Sequence, residues 1–188
     1  MEVTRERAWQ TLTTYTKSES LLRHALAVEA SVGGYAHRFG EDEEFWRATA
    51  LLHDFDYEIH PTLDKHPQDG APILREEGYP EELVEGVLSH AEHLARPRDT
   101  PLKKTLFACD ELSGFVHACA LVRPGRVISG LEPVSVRKKL KDKAFARTVN
   151  RDDVYRGASE LGVDLDAHIA FVVSALSSVA SDIGLSTA

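Results

Sequence analysis

The stretch Ala48-Thr49-Ala50-Leu51-Leu52-His53-Asp54-Phe55-Asp56-Tyr57-Glu58 decides how the chain is read. Phe45, Trp46, Thr49, Ala50 and Leu52 recur at helical spacing, so they give one helix a face to bury. That helix runs directly into an imidazole and a carboxylate side by side. Such a pair is costly to bury unless both groups are satisfied, and a divalent metal ion satisfies both. Further histidines and acids stand in neighbouring predicted helices, at His24, His66, His90 and Asp110.

Outward from this stretch the pattern is helical nearly throughout. Ser18-Glu19-Ser20 predicts a cap for a helix carrying Leu21, Leu22, Ala25 and Val28, with Gly33-Gly34 loosening its middle and Gly40 ending it. A helix is expected from about Pro67 to Glu77, and Pro80 sits well at the start of the next, with Leu83, Val84, Val87 and Leu88. Pro101 opens a long apolar helix that Pro124-Gly125 breaks. Val134 to Phe145 reads as a short basic helix, Asp152-Asp153 begin another, and Asp164 caps the last. Val127-Ile128 is a candidate short extended piece, but no run alternates with period two. The fold class is all-α. One domain is expected over residues 1–188, with a metal-binding core at about 18–123 and C-terminal helices at 134–184 packing on it.

Composition narrows the function classes. A 188-residue chain with 43% hydrophobic and 28% charged residues is of ordinary globular make-up. Its formal net charge of -8 argues against general binding to nucleic acid or anionic membranes, while leaving room for a local basic patch. No apolar stretch is long enough and free of charge to span a membrane, and the N-terminus lacks the apolar core of a secretory signal. Cys109 and Cys119 fall ten positions apart on one predicted helix. That is about 15 Å, too far for a disulfide. These features together predict a cytoplasmic protein.

His24 shares a helix face with Leu21 and Val28, His53-Asp54 end a buried helix, and His90 follows Leu88. Asp110 sits in the most apolar helix with no cationic partner of its own, which is costly for a buried acid. On four packed helices these side chains can converge, as they do in the metal sites of helical bundles. Two imidazoles and two carboxylates suit Mn²⁺, Fe, Co²⁺, Ni²⁺, Mg²⁺ or Zn²⁺, with positions left open for water. Taken singly, each histidine is read first as a satisfied core residue, and Asp54 as a cap for the following helix.

The ordered set His24, then His53-Asp54, then Asp110 resembles the signature of the HD superfamily of metal-dependent phosphohydrolases. The segments Leu52 to Glu58, Asp110 to Phe115, Ala120 to Pro124 and the basic stretch Ser135 to Phe145 are similar to an uncharacterised branch of predicted HD hydrolases. The resemblance implies an HD-type helical bundle and a divalent ion on His24, His53, Asp54 and Asp110. In two-metal members, histidines in segments like those of His66 and His90 hold a second ion, so one ion is expected here and a second has ligands available. The chain departs from the cyclic-dinucleotide phosphodiesterase branch. Ala91 stands where a paired histidine would be expected, and Gly78-Tyr79-Pro80 precedes His90 instead of following it.

The implied activity is hydrolysis of a small phosphate ester or nucleotide by an activated water, with Asp54 at the centre. Glu58, four residues past Asp54, is the candidate to accept the water's proton if the helix continues, although Asp56 and Glu58 equally fit solvated loop acids. Phosphoryl charge calls for cations, and the basic run places Lys138 and Lys139, with Arg123, as the candidate substrate-binding residues. No glycine-rich phosphate loop is present. Two alternatives remain: an HD-type di-iron oxygenase that uses O₂, with His66 and His90 as the extra iron ligands, and a non-catalytic metal-bearing domain that senses a ligand.

Overall fold

The computed structural model describes residues 2–188. Among them the chain forms α1 (Arg5–Tyr15), α2 (Glu19–Phe39), α3 (Glu43–Leu52), α4 (Gly70–Glu76), α5 (Glu81–His90), α6 (Pro101–Leu121), α7 (Pro133–Leu140), α8 (Arg151–Leu161) and α9 (Leu165–Ser178). The only strand-like feature in these residues is a single bridge between Val127 and Ser186, so the fold is all-helical. No single helix among the described residues is long and apolar enough to cross a membrane.

Most helices start where a short polar side chain can take up an unpaired backbone amide. Asp42, Thr100, Asn150 and Asp164 accept from the amides of Phe45, Lys103, Asp152 and Ala167. Thr4 does the same for α1, a helix that the sequence pattern did not reveal. Its buried face is only Ala8, Thr11 and Leu12, too thin to stand out as a periodic stripe.

Four expectations need correction. Ser18 makes no side-chain cap bond to α2. The Glu58 carboxylate serves that end instead, accepting from the amides of Lys17 and Ser18 at 2.7 and 2.8 Å. Gly33-Gly34 does not loosen α2, which runs unbroken; the missing side chains make room for Arg47 and Phe171. The helix expected from Pro67 begins at Gly70, after a run of turns. The basic helix stops at Leu140 rather than Phe145, because the Asp142 side chain accepts from the Ala144 amide and folds the chain into a turn.

The apolar interior has three parts. Leu12, Leu51, Leu52, Phe55, Leu83 and Val87 join α1, α3 and α5. Val28, Tyr35, Trp46 and Leu106 join α2, α3 and α6. Phe115, Val116, Val136, Val154, Ile169 and Val172 pack α7, α8 and α9 onto the second half of α6. The α8–α6 contact is close because Gly157 has no side chain: a Cβ there would lie 2.6 Å from the Ala108 Cα. The two 21-residue helices, α2 and α6, therefore form the spine against which α3, α5 and α8 are set.

Candidate metal centre

The spine brings together side chains far apart in the chain. His24 projects from α2, His53-Asp54 follow the last turn of α3, His90 ends α5 and Asp110 lies mid-way along α6. The helix does not continue past His53, so Asp54 caps nothing and its carboxylate is turned inward. The His24 Nε2 lies 3.2 Å from the His53 Nε2 and 3.0 Å from the Asp110 Oδ1. His53 Nε2 is 3.4 Å from Asp54 Oδ2 and 3.5 Å from Asp110 Oδ1. The other oxygen of Asp54 faces a second pair: Oδ1 lies 3.1 Å from the His66 Nε2 and 3.3 Å from the His90 Nε2. One carboxylate thus divides the cluster into two halves.

The ring orientations suit a metal ion. His53 Nδ1–H donates to the Ala50 carbonyl at 2.7 Å, and His90 Nδ1–H donates to the Val87 carbonyl at 2.6 Å. In each ring Nε2 is thereby left facing the cluster. Two Nε2 atoms 3.2 Å apart and flanked by carboxylates repel unless a proton or a cation lies among them. The groups His24–His53–Asp54 and Asp54–His66–His90 can each hold a metal ion. Without one, protons do the work. Burial disfavours charge on His53, but Asp54 and Asp110 outweigh it and raise its pKa well above 6.5. Burial pulls likewise on His66, yet Asp54 and Asp56 lift it to about 9. Burial would raise the pKa of Asp54, but His53, His66 and His90 hold it well below the usual carboxylate range.

Asp56 is a residue that sequence reasoning placed in solvent. It is completely buried, its Oδ1 accepting from His66 Nδ1 at 2.8 Å and its Oδ2 from His60 Nδ1 at 3.1 Å. Gly70 permits this, since a Cβ there would lie 2.6 Å from the Asp56 Cγ. The signal available in the sequence was the spacing Asp56–His60, one helical turn in a polar loop, but nothing in it shows that the loop folds inward.

Four other expected site residues lie elsewhere. Glu58 is anchored at the start of α2 and points away from the cluster. Arg123 stands thirteen residues beyond Asp110, about 20 Å along the helix axis, and its guanidinium donates to the carbonyls of Val127 and Ser129. Lys138 and Lys139 border a separate groove of about 510 Å³ with Arg123. The cluster itself opens into a cavity of about 950 Å³, walled by Tyr57, His93, Phe107, Glu111 and His117 and by Ala146, Thr148, Val149, Asn150 and Asp153. None of its lining residues is a lysine or an arginine. Burial, then the neighbouring Asp110 charge, pushes the Glu111 carboxyl up to about 8.

A helical bundle with two histidine–aspartate half-sites sharing one carboxylate defines a candidate divalent-metal protein. The family comparison agrees: the HD domain model matches residues 21–114, and the chain belongs to that family. Curated relatives include proteins called Ribonuclease Y. That of Nitratidesulfovibrio vulgaris strain DP4 is 30% identical over 141 residues, covering 74% of this chain and 24% of the relative. That of Lawsonia intracellularis is 31% identical over 121 residues, or 64% and 21%. That of Rhodopirellula baltica is 29% identical over 116 residues, or 61% and 20%. The match thus spans a quarter or less of the length of these relatives. No solved structure matches the chain.

Proposed function

We propose that the chain is a metal-dependent phosphohydrolase acting on a small phosphate ester or nucleotide. The observation that carries this reading is Asp54: its two oxygens face two separate sets of imidazole nitrogens. That arrangement would suit two ions rather than the single ion expected from the sequence. His24, His53, Asp54 and Asp110 would hold the first, and Asp54, His66 and His90 the second. Bound divalent ions lower the pKa of water and offset charge on a phosphoryl group.

The side chains fix where that chemistry takes place. The Ala50 and Val87 carbonyls and Asp56 orient three of the four imidazoles, so the ligand atoms need little rearrangement. Asp54 stays ionised across the neutral range, as a carboxylate that would hold a divalent ion must. Because the cavity wall has no lysine or arginine, the metal centre is the main source of positive charge for a bound phosphoryl group.

The test is elemental analysis of the protein as isolated, followed by turnover of p-nitrophenyl phosphate, bis(p-nitrophenyl) phosphate, nucleotides and RNA with Mn²⁺, Mg²⁺, Co²⁺, Ni²⁺ and Zn²⁺. RNA is included because the curated relatives are named as ribonucleases. Metal-dependent hydrolysis of at least one of these esters, abolished by Asp54→Ala, is expected. A metal-free protein, or turnover indifferent to Asp54→Ala, overturns the reading. O₂ consumption and a mixed-valent EPR signal with iron, without phosphate release, would replace it with di-iron oxygenase chemistry. A bound metal without turnover of any kind would leave the ligand-sensing role.

A further inference from the structure

We propose that the exposed basic strip running to Arg147 binds the phosphate backbone of a single-stranded polynucleotide and leads it into the metal cavity; the proposal rests on the hydrolase reading above. Between Arg123 and Arg147 stand eight of the chain's 22 lysines and arginines, but two of its 30 acids. In a chain of formal net charge -8, this makes a positive face on an acidic molecule. Charge complementarity of this kind fits a polyanion. Lys138, Lys141, Lys143 and Arg147 are exposed and form no ion pair among the described residues. Arg137, in contrast, is engaged with Asp166 at 3.2 Å.

The strip is continuous with the cavity. Ala146, Thr148 and Val149 line the cavity wall, and Arg147 stands exposed between them. On α6 Ala118 lines the cavity, while Cys119, about 100° further round the helix, lines the groove that Arg123, Lys138 and Lys139 border. Since the cavity wall carries no lysine or arginine, phosphates lying beyond the metal centre meet their counter-charge on this strip.

A single strand fits the shape better than a duplex. His53 is fully buried and His66 nearly so, so a phosphodiester reaches the ligand atoms only where its backbone can turn inward. Tyr57, 40% exposed, lines the same cavity and offers a ring face on which an unpaired base can stack.

The experiment is fluorescence anisotropy of a labelled single-stranded RNA of about 20 nucleotides with the full chain, in EDTA so that nothing is cleaved, over a range of salt. Lys141→Glu/Lys143→Glu/Arg147→Glu is expected to weaken binding at least about tenfold and to reduce the log–log salt slope by about 2, three phosphate contacts being lost. The charge-preserving variant Lys141→Arg/Lys143→Arg is expected to bind as the parent does, with melting temperature reporting the fold of both. Unchanged affinity in the charge-reversed variant overturns the proposal. So does binding to vesicles of anionic phospholipid with none to the strand. Binding in EDTA requires neither ion nor turnover, so failure of the strip and failure of the hydrolase reading appear in different measurements.

Discussion

His53 and His168 are both completely buried imidazoles, yet their surroundings differ in kind. His168, on α9, pairs its Nδ1 with the Tyr35 hydroxyl at 2.8 Å and its Nε2 with the Ala108 carbonyl at 2.9 Å. Both ring nitrogens are satisfied by the protein, and the residue pins α9 to α2 and α6. His53 satisfies only Nδ1 in this way, and its Nε2 faces another imidazole nitrogen and two carboxylates. The difference separates a histidine that completes a core from one whose second nitrogen is left to a proton or a cation. Burial alone does not distinguish them; the partners of the second nitrogen do.

The same substitution at the two positions tests that distinction most strongly. His53→Gln is expected to strip metal from the protein and to lower ester turnover by more than about 100-fold, the upper range for losing a mere supporting partner. His168→Gln is expected to leave metal content unchanged and to lower the melting temperature by a few degrees, because one of its two partners is left unpaired at a cost of about 1–3 kcal/mol. Elemental analysis and thermal melts on both variants decide the matter. Metal lost from His168→Gln and retained by His53→Gln would break the comparison.

Asp56 sharpens it, being a buried acid that serves a ligand without facing the ligand atoms. Asp56→Asn removes the charged acceptor behind His66 and is expected to weaken one of two ions by about 10–100-fold. A Mn²⁺ titration should then show one tight and one weak site where the parent shows two tight ones. Gly70→Ala should act in the same direction, since its methyl would occupy space that Asp56 fills.

These residues also show what the sequence discloses. His24, His53, Asp54 and Asp110 are legible because their order along the chain and their places on apolar helices are both one-dimensional properties. His66 and His90 stood out as candidates in the sequence, but their role in holding a second ion came from the resemblance alone. Asp56 was not legible: whether a polar loop folds inward depends on Gly70, fourteen residues later, and on the closeness of its backbone. The basic run was plain as composition, but a charge run does not reveal which end of α6 its helix packs against. So Lys138, Lys139 and Arg123 were expected at the cavity and stand beside a neighbouring groove. The cap of α9 was readable from Asp164, whereas α1 lacked an apolar stripe strong enough to see.

A smaller effect comes from pH. Burial holds the His168 pKa below 6.5, with the Ala108 carbonyl only partly offsetting it. The unfolded chain therefore binds a proton as pH falls through 6.5 while the folded one resists it, and stability is lost on the acid side of that value. The melting temperature of the parent should fall more steeply between pH 7.5 and 5.5 than that of His168→Gln, the difference isolating this residue from the histidines around Asp54. Parallel curves would show that the paired core histidine is not held neutral by burial.

Glu58 provides the mildest and most pointed test, because sequence spacing made it a proton acceptor and the fold makes it an anchor. Its carboxylate accepts from the Ser18 and Lys17 amides, which lowers its pKa below 4.5 and ties the loop after the metal ligands to the start of α2. The contribution to stability is present above pH 4.5 and is lost as pH falls through the lowered value. Glu58→Gln keeps one acceptor oxygen and should change the melting temperature little, while Glu58→Ala, which leaves both amides to water, should lower it slightly more. A catalytic proton acceptor would behave differently: both substitutions would depress kcat together and remove an acidic limb from the pH–rate profile. Turnover equal to the parent's in both variants, with only their melting temperatures apart, is the outcome expected of a side chain that holds the helix bearing His24 rather than the water.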